Sequence, residues 1–98
     1  MLTLKFRARL WLYPGPGGWH FITLPSSRAK EIKMSLRGVR HGWGSVPVKA
    51  TIGTASWKTS IFPDRKSGSY VLPVKADVRK RERIEDGDTV LVTLVVTN

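Results

Sequence analysis

Apolar residues recur at every second position from residue 2 to residue 12. Leu2, Leu4, Phe6, Ala8, Leu10 and Leu12 fall on one face, and Thr3, Lys5, Arg7, Arg9 and Trp11 on the other. Successive side chains of a strand point to opposite faces, so this run is a strand with one side in a core. A turn cluster, YPGPGG, follows at 13–18, and WHFITL at 19–24 reads as the returning strand. The alternation reappears in VPVKATI at 46–52, with Val46, Val48, Ala50 and Ile52 inward and Lys49 and Thr51 outward. Pro47 near its start suits an edge strand or the beginning of a strand. Gly53-Thr54 supplies a tight turn, and ASWKTSIF at 55–62 is the partner of that hairpin. The polar stretch PDRKSGS at 63–69 reads as a loop.

Two segments break this period. Pro25, Ser26 and Ser27 open a helix with a serine as the expected N-cap, and Ile32 and Leu36 lie four apart on its apolar side. That helix should stop near Arg37 and Gly38. The second is the charged run 75–83, where Val74, Val78 and Ile84 are the apolar positions available to hold it to a core. A strand ending at Pro73 precedes this run, and a turn at 85–88 around Gly87 follows it. The last strand, 89–96, is apolar on both faces: Val90, Val92, Leu94 and Val96 on one, Leu91 and Val95 on the other. Such a strand is either central in a sheet or half of a subunit interface, so a homodimer through it is one expectation.

Composition narrows the class. Ninety-eight residues, 41% of them hydrophobic, suit one domain spanning 1–98 with a real core. There is no cysteine, which removes disulfides, thiolate catalysis and cysteine-held metals. No apolar run approaches the roughly 20 residues that span a bilayer, and the N-terminus lacks the basic head and apolar block of a signal peptide. The expected setting is therefore cytoplasmic, away from membranes.

Charge is uneven. The net charge is +10, and residues 1–63 hold ten Lys or Arg against one acid, Glu31, whereas residues 64–98 are nearly balanced. Such an imbalance attracts polyanions, although many small domains carry excess charge for solubility alone. Two stretches concentrate the candidate contacts. One is the row Lys5, Arg7 and Arg9 ending at Trp11, which either meets a phosphate backbone or keeps a long strand from edge pairing. The other is RGVRHGWGS at 37–45, where Arg37, Arg40, His41 and Trp43 stand among three glycines. Nucleic acid is the leading partner expected from these seven residues. A small-ligand domain or minor enzyme, with a pocket formed by Trp19, Trp57 and Tyr70 at the barrel mouth, is one alternative, and a protein-interaction module docking through the last strand is another.

Catalysis has little to stand on. Only His20 and His41 are available as bases near neutral pH, and no serine lies in a nucleophile elbow. The glycines at 15–18 are not followed by the Gly-Lys-Ser/Thr of a phosphate loop, and His20 reads as a structural or surface residue. No set of His and carboxylates has metal-ligand spacing, so neither a metal nor a cofactor is expected. The sequence leans against an enzyme, and no catalytic residue is assigned.

Several runs, namely FRARLW, GGWHFITLP, VKATIG, TSIFP and YVLPVKADVR followed by IEDGDTVLVTL, resemble the domain-of-unknown-function family numbered 1905. That resemblance implies a small bacterial or archaeal domain with a double-split β-barrel: about six strands capped by two short helices, near 27–36 and 75–83. It carries no activity and no site. The fold is shared with AbrB/MazE-type regulators, whose swapped hairpins make DNA-binding dimers. Leu72-Pro73, Arg79 and Gly87-Asp88 can be laid on their signature, with a spacing about two residues longer from Pro73 to Arg79. DNA binding by that route is an analogy of fold.

Overall fold

The computed structural model describes residues 2–36 and 44–97. The elements in order are β1 (Leu2–Leu12), β2 (His20–Thr23), α1 (Ser26–Ser35), β3 (Val46–Ile52), β4 (Ala55–Asp64), β5 (Ser69–Pro73), α2 (Ala76–Glu82) and β6 (Thr89–Val96). All strand pairs are antiparallel, and the six strands close into a barrel in the order β1-β2-β5-β4-β3-β6. The chain is thus mainly β, with two short helices, as the alternation and the resemblance predict.

The barrel is made of two sheets that share strands. β1 pairs with β6 through residues 2–9 and with β2 through residues 10–12. In the same way β4 pairs with β3 through residues 55–61 and with β5 only from Phe62 to Asp64. A long sheet, β1-β6-β3-β4, therefore meets a short one, β1-β2-β5-β4, at two corners. At each corner the pairing of the shared strand passes from one of its edges to the other.

Inward positions follow the period read from the sequence. Leu4, Phe6 and Leu10 of β1, Val46 to Ile52 at alternate positions of β3, and Val90, Val92, Leu94 and Val96 of β6 are buried together. Burial of apolar surface at about 25 cal/mol per Å² is the main stabilising term in such a core. α1 adds Ala29, Ile32 and Leu36, spaced three and four apart, and α2 adds Val78. Leu12 departs from the pattern: it shares the apolar parity of β1 but is 46% exposed, because the strand has run past the core.

β6 lies between β1 and β3, so the two-sided strand is central. Both of its edges are occupied within this one chain. A second copy could meet it only on the outward face, where Leu91 is exposed.

Three expectations need correction. The N-cap of α1 is Pro25, not a serine, and no side chain caps it. Proline sets its own φ at −57°, and its carbonyl accepts the amides of Arg28 and Ala29, so the first turn closes with Ser26 and Ser27 already helical. β4 continues to Asp64, which shortens the loop expected at 63–69. Asp64 Oδ2 accepts from both the amide and the hydroxyl of Ser67, at 3.1 and 2.7 Å, and Gly68 closes the turn with φ of 73°. These bonds, chiefly the Ser67 hydroxyl, hold the Asp64 carboxyl below its ordinary value. β2, finally, begins at His20, one residue later than expected.

The acidic turn at 85–88 is structural. Asp88 Oδ2 accepts the Glu85 amide at 2.8 Å, and Gly87, with φ of 97°, donates its amide to the Leu10 carbonyl at 2.8 Å. Leu10 donates in return to the Asp88 carbonyl, and Asp86 Oδ1 accepts the Leu12 amide. The turn is therefore stitched onto β1 at the corner where that strand leaves β6.

Candidate functional site

On both corner strands the outward side chains change character at the corner. Along β1 they run Lys5, Arg7, Arg9 and then Trp11, whose indole N–H donates to Thr23 Oγ1 at 2.9 Å. Along β4 they run from Lys58 to Phe62, both exposed. On these two strands the part in the long sheet thus faces outward with cations, and the part in the short sheet with aromatic rings.

The aromatic side is a connected cluster. Phe21 of β2 is opposite Trp11 in register, with centroids 5.3 Å apart and planes tilted by 41°. Trp19 stacks on Phe21 at 6.1 Å and 8°, and Tyr13 meets it edge-on at 6.2 Å. Tyr13, Trp19, Phe21 and Phe62, with Val71 and Pro73 of β5, line an apolar groove of about 430 Å³. Trp19 is 56% exposed there. Exposed apolar surface gathered in one place, rather than scattered, marks a contact site.

Next to this groove, and sharing Trp19, Phe62 and Pro73 with it, lies a cleft of about 550 Å³. Its volume falls in the range of roughly 300–1,000 Å³ usual for small-ligand sites. It forms because β4 has a strand on only one side until Phe62, and the start of α2 and residues 17–20 approach the other side. Trp57, Thr59, His20 and Val74 form the deeper wall, and Lys58, Lys75 and Arg79 supply the charge. No carboxylate lines it.

The cations of the cleft are poorly neutralised. The one ion pair among the described residues is Arg28 with Glu31, on α1. Four other carboxylates are engaged by turns, Asp64 by Ser67, Glu82 by the Thr54 hydroxyl at 2.9 Å, and Asp86 and Asp88 by backbone amides, while Asp77 and Glu85 line a separate depression together with Arg79. Arg79 donates Nε–H to the Val74 carbonyl at 3.2 Å, which orients the guanidinium while its terminal amino groups find no partner among the described residues. Lys58 stands directly across from Lys49 of β3, both exposed. Directly opposed like charges destabilise a sheet pair, so this arrangement costs stability.

His20 donates from Nδ1 to the Gly18 carbonyl at 2.8 Å, since a carbonyl only accepts. That bond leaves Nε2 as the nitrogen available beside the cleft. Among the described residues no three of His, Asp and Glu come together as a metal site would require. No helix among them is long and apolar enough to cross a membrane.

The expected site residues are distributed as follows. Lys5, Arg7 and Arg9 are exposed on the long sheet. Arg37, Arg40, His41 and Trp43 lie outside the described residues. Trp19 and Trp57 do share a cleft, but Tyr70 does not line it. Tyr70 is buried on the inner side of β5, under Lys33, whose Nζ stands 5.9 Å from the ring centroid. Burial raises its phenol above the ordinary value. Sequence reasoning missed Lys58, Phe62, Lys75 and Arg79. The signal for the first two was present, since Lys58 and Phe62 share the outward parity of β4 just as Arg9 and Trp11 share that of β1.

No curated protein matches this sequence. A family model described as a domain of unknown function, DUF1905, matches residues 6–94, which take in all six strands and both helices in whole or in large part. The chain, with its six-stranded antiparallel barrel and two short helices, belongs to the DUF1905 family.

Proposed function

We propose that this protein is a binding domain rather than a catalyst, and that its ligand is an anion carrying a planar ring. The site is the cleft at the β4 corner. The observation that carries this reading is a cleft lined by Lys58, Lys75 and Arg79 and by no carboxylate, together with exposed Trp19 and Phe62. An anionic group is met by the three cations, and a ring is met by the aromatic faces, where cation–π and stacking contacts each add to affinity. A guanidinium already oriented through Nε loses little freedom when it takes up an anion. Acid–base catalysis has no carboxylate in the cleft to share the work with His20.

Likeness to the AbrB/MazE regulators supports an anionic partner only through fold, and fold alone assigns no function. Those regulators close their barrels by exchanging hairpins, whereas here all six strands come from one chain. A second reading, association of two copies across the outward face of β6, rests on Leu91, which is 49% exposed on an otherwise closed sheet.

Tryptophan fluorescence tests the proposal with adenosine monophosphate as the probe. Saturable quenching is expected at low salt, weakened in a Lys58→Ala/Arg79→Ala variant that retains its circular dichroism spectrum. Adenosine and inorganic phosphate, each supplying half of the chemistry, should bind more weakly than the nucleotide. Absence of quenching by the nucleotide, or equal affinity of the wild type and the variant, contradicts the reading.

A further inference from the structure

The cleft adjoins surfaces that continue its chemistry. On one side it shares Trp19, Phe62 and Pro73 with the apolar groove that reaches Phe21 and Tyr13. On the other, Lys58 belongs to the outward face of the long sheet, directly beside Lys49. A site for one small anion would end at its own walls. Here aromatic faces and cations both extend beyond them.

Resting on the cleft as the ligand site, we infer that the ligand is a single-stranded nucleic acid lying across the β4 corner. One phosphate sits against Lys58, Lys75 and Arg79, and the adjoining base lies in the groove against Trp19 and Phe62. The neighbouring phosphate meets Lys49, relieving the repulsion between Lys49 and Lys58. Stacking on protein rings needs bases that are not paired and stacked with one another, so a duplex cannot use the groove. Every base presents a π-face, so the contact is tolerant of sequence. None of the atoms that would select deoxyribose or ribose is assigned, and both sugars fit the same chemistry.

The directly opposed pair Lys49 and Lys58 is the feature a folded core alone does not require. β3 and β4 are held by seven residue pairs in register, and six of these place small, apolar or hydroxyl side chains opposite one another or opposite Trp57 and Pro47. The seventh places two exposed ammonium groups side by side. No acid occurs in β1, β3 or β6, and the one acid of β4, Asp64, is engaged by Ser67. A chain of phosphates supplies repeated negative charge to the cations of the cleft and to Lys49 beside them.

A length series on the full chain tests this, with tryptophan fluorescence as the readout and adenosine monophosphate as the shortest member. Oligoadenylates of two, three, six and twelve nucleotides, as deoxyribose and as ribose polymers, complete it. Affinity is expected to rise with length and level off once the corner is spanned. Two phosphates neutralised, one by Lys58, Lys75 and Arg79 and one by Lys49, predict a slope of log affinity against log salt of about −1.4 for a single strand. Lys49→Ala removes the second phosphate contact, so it should flatten the slope for the hexamer by about 0.7 and weaken the hexamer more than the mononucleotide. Oligomers that bind no tighter than the mononucleotide overturn the inference and leave the cleft as a small-ligand site. Duplex binding as tight as the single strand, or polyphosphate of equal charge binding as tightly, overturns the stacking role. If neither mononucleotide nor oligomer binds, both readings fall together.

Discussion

Trp19 lies almost parallel to Phe21, 6.1 Å between ring centroids and 8° between planes, yet more than half of its surface remains open to solvent. A tryptophan that served only the core would turn its ring inward, as Trp57 does. Trp19→Ala should therefore leave the melting temperature within a few degrees of wild type while weakening binding of a nucleotide ring by about 1–3 kcal/mol. Thermal unfolding followed by circular dichroism and a fluorescence titration on the remaining tryptophans measure the two quantities separately.

Arg79 holds the cleft through two different properties. Its Nε–H bond to the Val74 carbonyl needs the guanidinium, whereas attraction of an anion needs only charge. Arg79→Lys should then recover part of the salt-dependent affinity lost in Arg79→Ala but not all of it, because a lysine cannot keep that geometry. Dissociation constants of the three proteins at two salt concentrations decide the matter.

Gly53 sits in the β3–β4 turn with φ of 58°, and a Cβ there would strike the carboxylate of Glu82, which also accepts the Thr54 hydroxyl. Gly53→Ala is expected to destabilise the fold by about 1–2 kcal/mol from the left-handed backbone alone, and to loosen the end of α2 from the hairpin. Chemical denaturation gives the first, and amide exchange at the end of α2 the second.

Arg83 is the reverse case. It closes α2 in the left-handed conformation, with φ of 53° and ψ of 47°, at a position where glycine is the usual residue. Arg83→Gly should stabilise the protein by up to about 1 kcal/mol, the relief of the backbone offset by glycine's greater freedom when unfolded. Equilibrium denaturation reads this directly.

Tyr70 carries a pH dependence. Burial raises its phenol above the ordinary value of about 10, so the folded state holds the proton more firmly than the unfolded chain. Its contribution to stability is complete below that ordinary value and is lost as pH rises through the folded value. In a Tyr13→Phe variant, where Tyr70 is the remaining tyrosine, the tyrosinate absorbance should appear with a midpoint above 10. A midpoint at or below 10 contradicts the burial described for it.

Much of this fold was legible because strand and helix leave different periods in the sequence. Residues 46–52 alternate regularly and residues 89–96 form a β-branched, apolar run behind the Gly87 turn, and both strands appear with the bounds read from them. The serine cap failed because Pro25 presets the first turn, a local effect that competes with capping chemistry. The site was less visible for a different reason. Lys75 and Arg79 stand in a stretch whose charges nearly cancel when counted along the chain, so they read as a solvated helix. In space, Asp86 accepts a backbone amide of β1 and Asp88 one within its own turn, and the two cations line a cleft with Trp19 and Lys58. Such a separation depends on the barrel closing, which brings residues 17–20, 57–62 and 73–79 together. Tyr70 failed as a pocket residue by the same logic, since inward parity on β5 carries it under α1.

The central claim is that the β4 corner receives an anion with a planar ring, and backbone amide shifts of the labelled protein locate such contact residue by residue. Titration with a hexamer of adenylate is predicted to move the amides of Trp19, His20, Lys58, Phe62, Lys75 and Arg79, together with the indole N–H of Trp19. Shifts confined to other surfaces of the barrel, or none at ligand saturation, would contradict it.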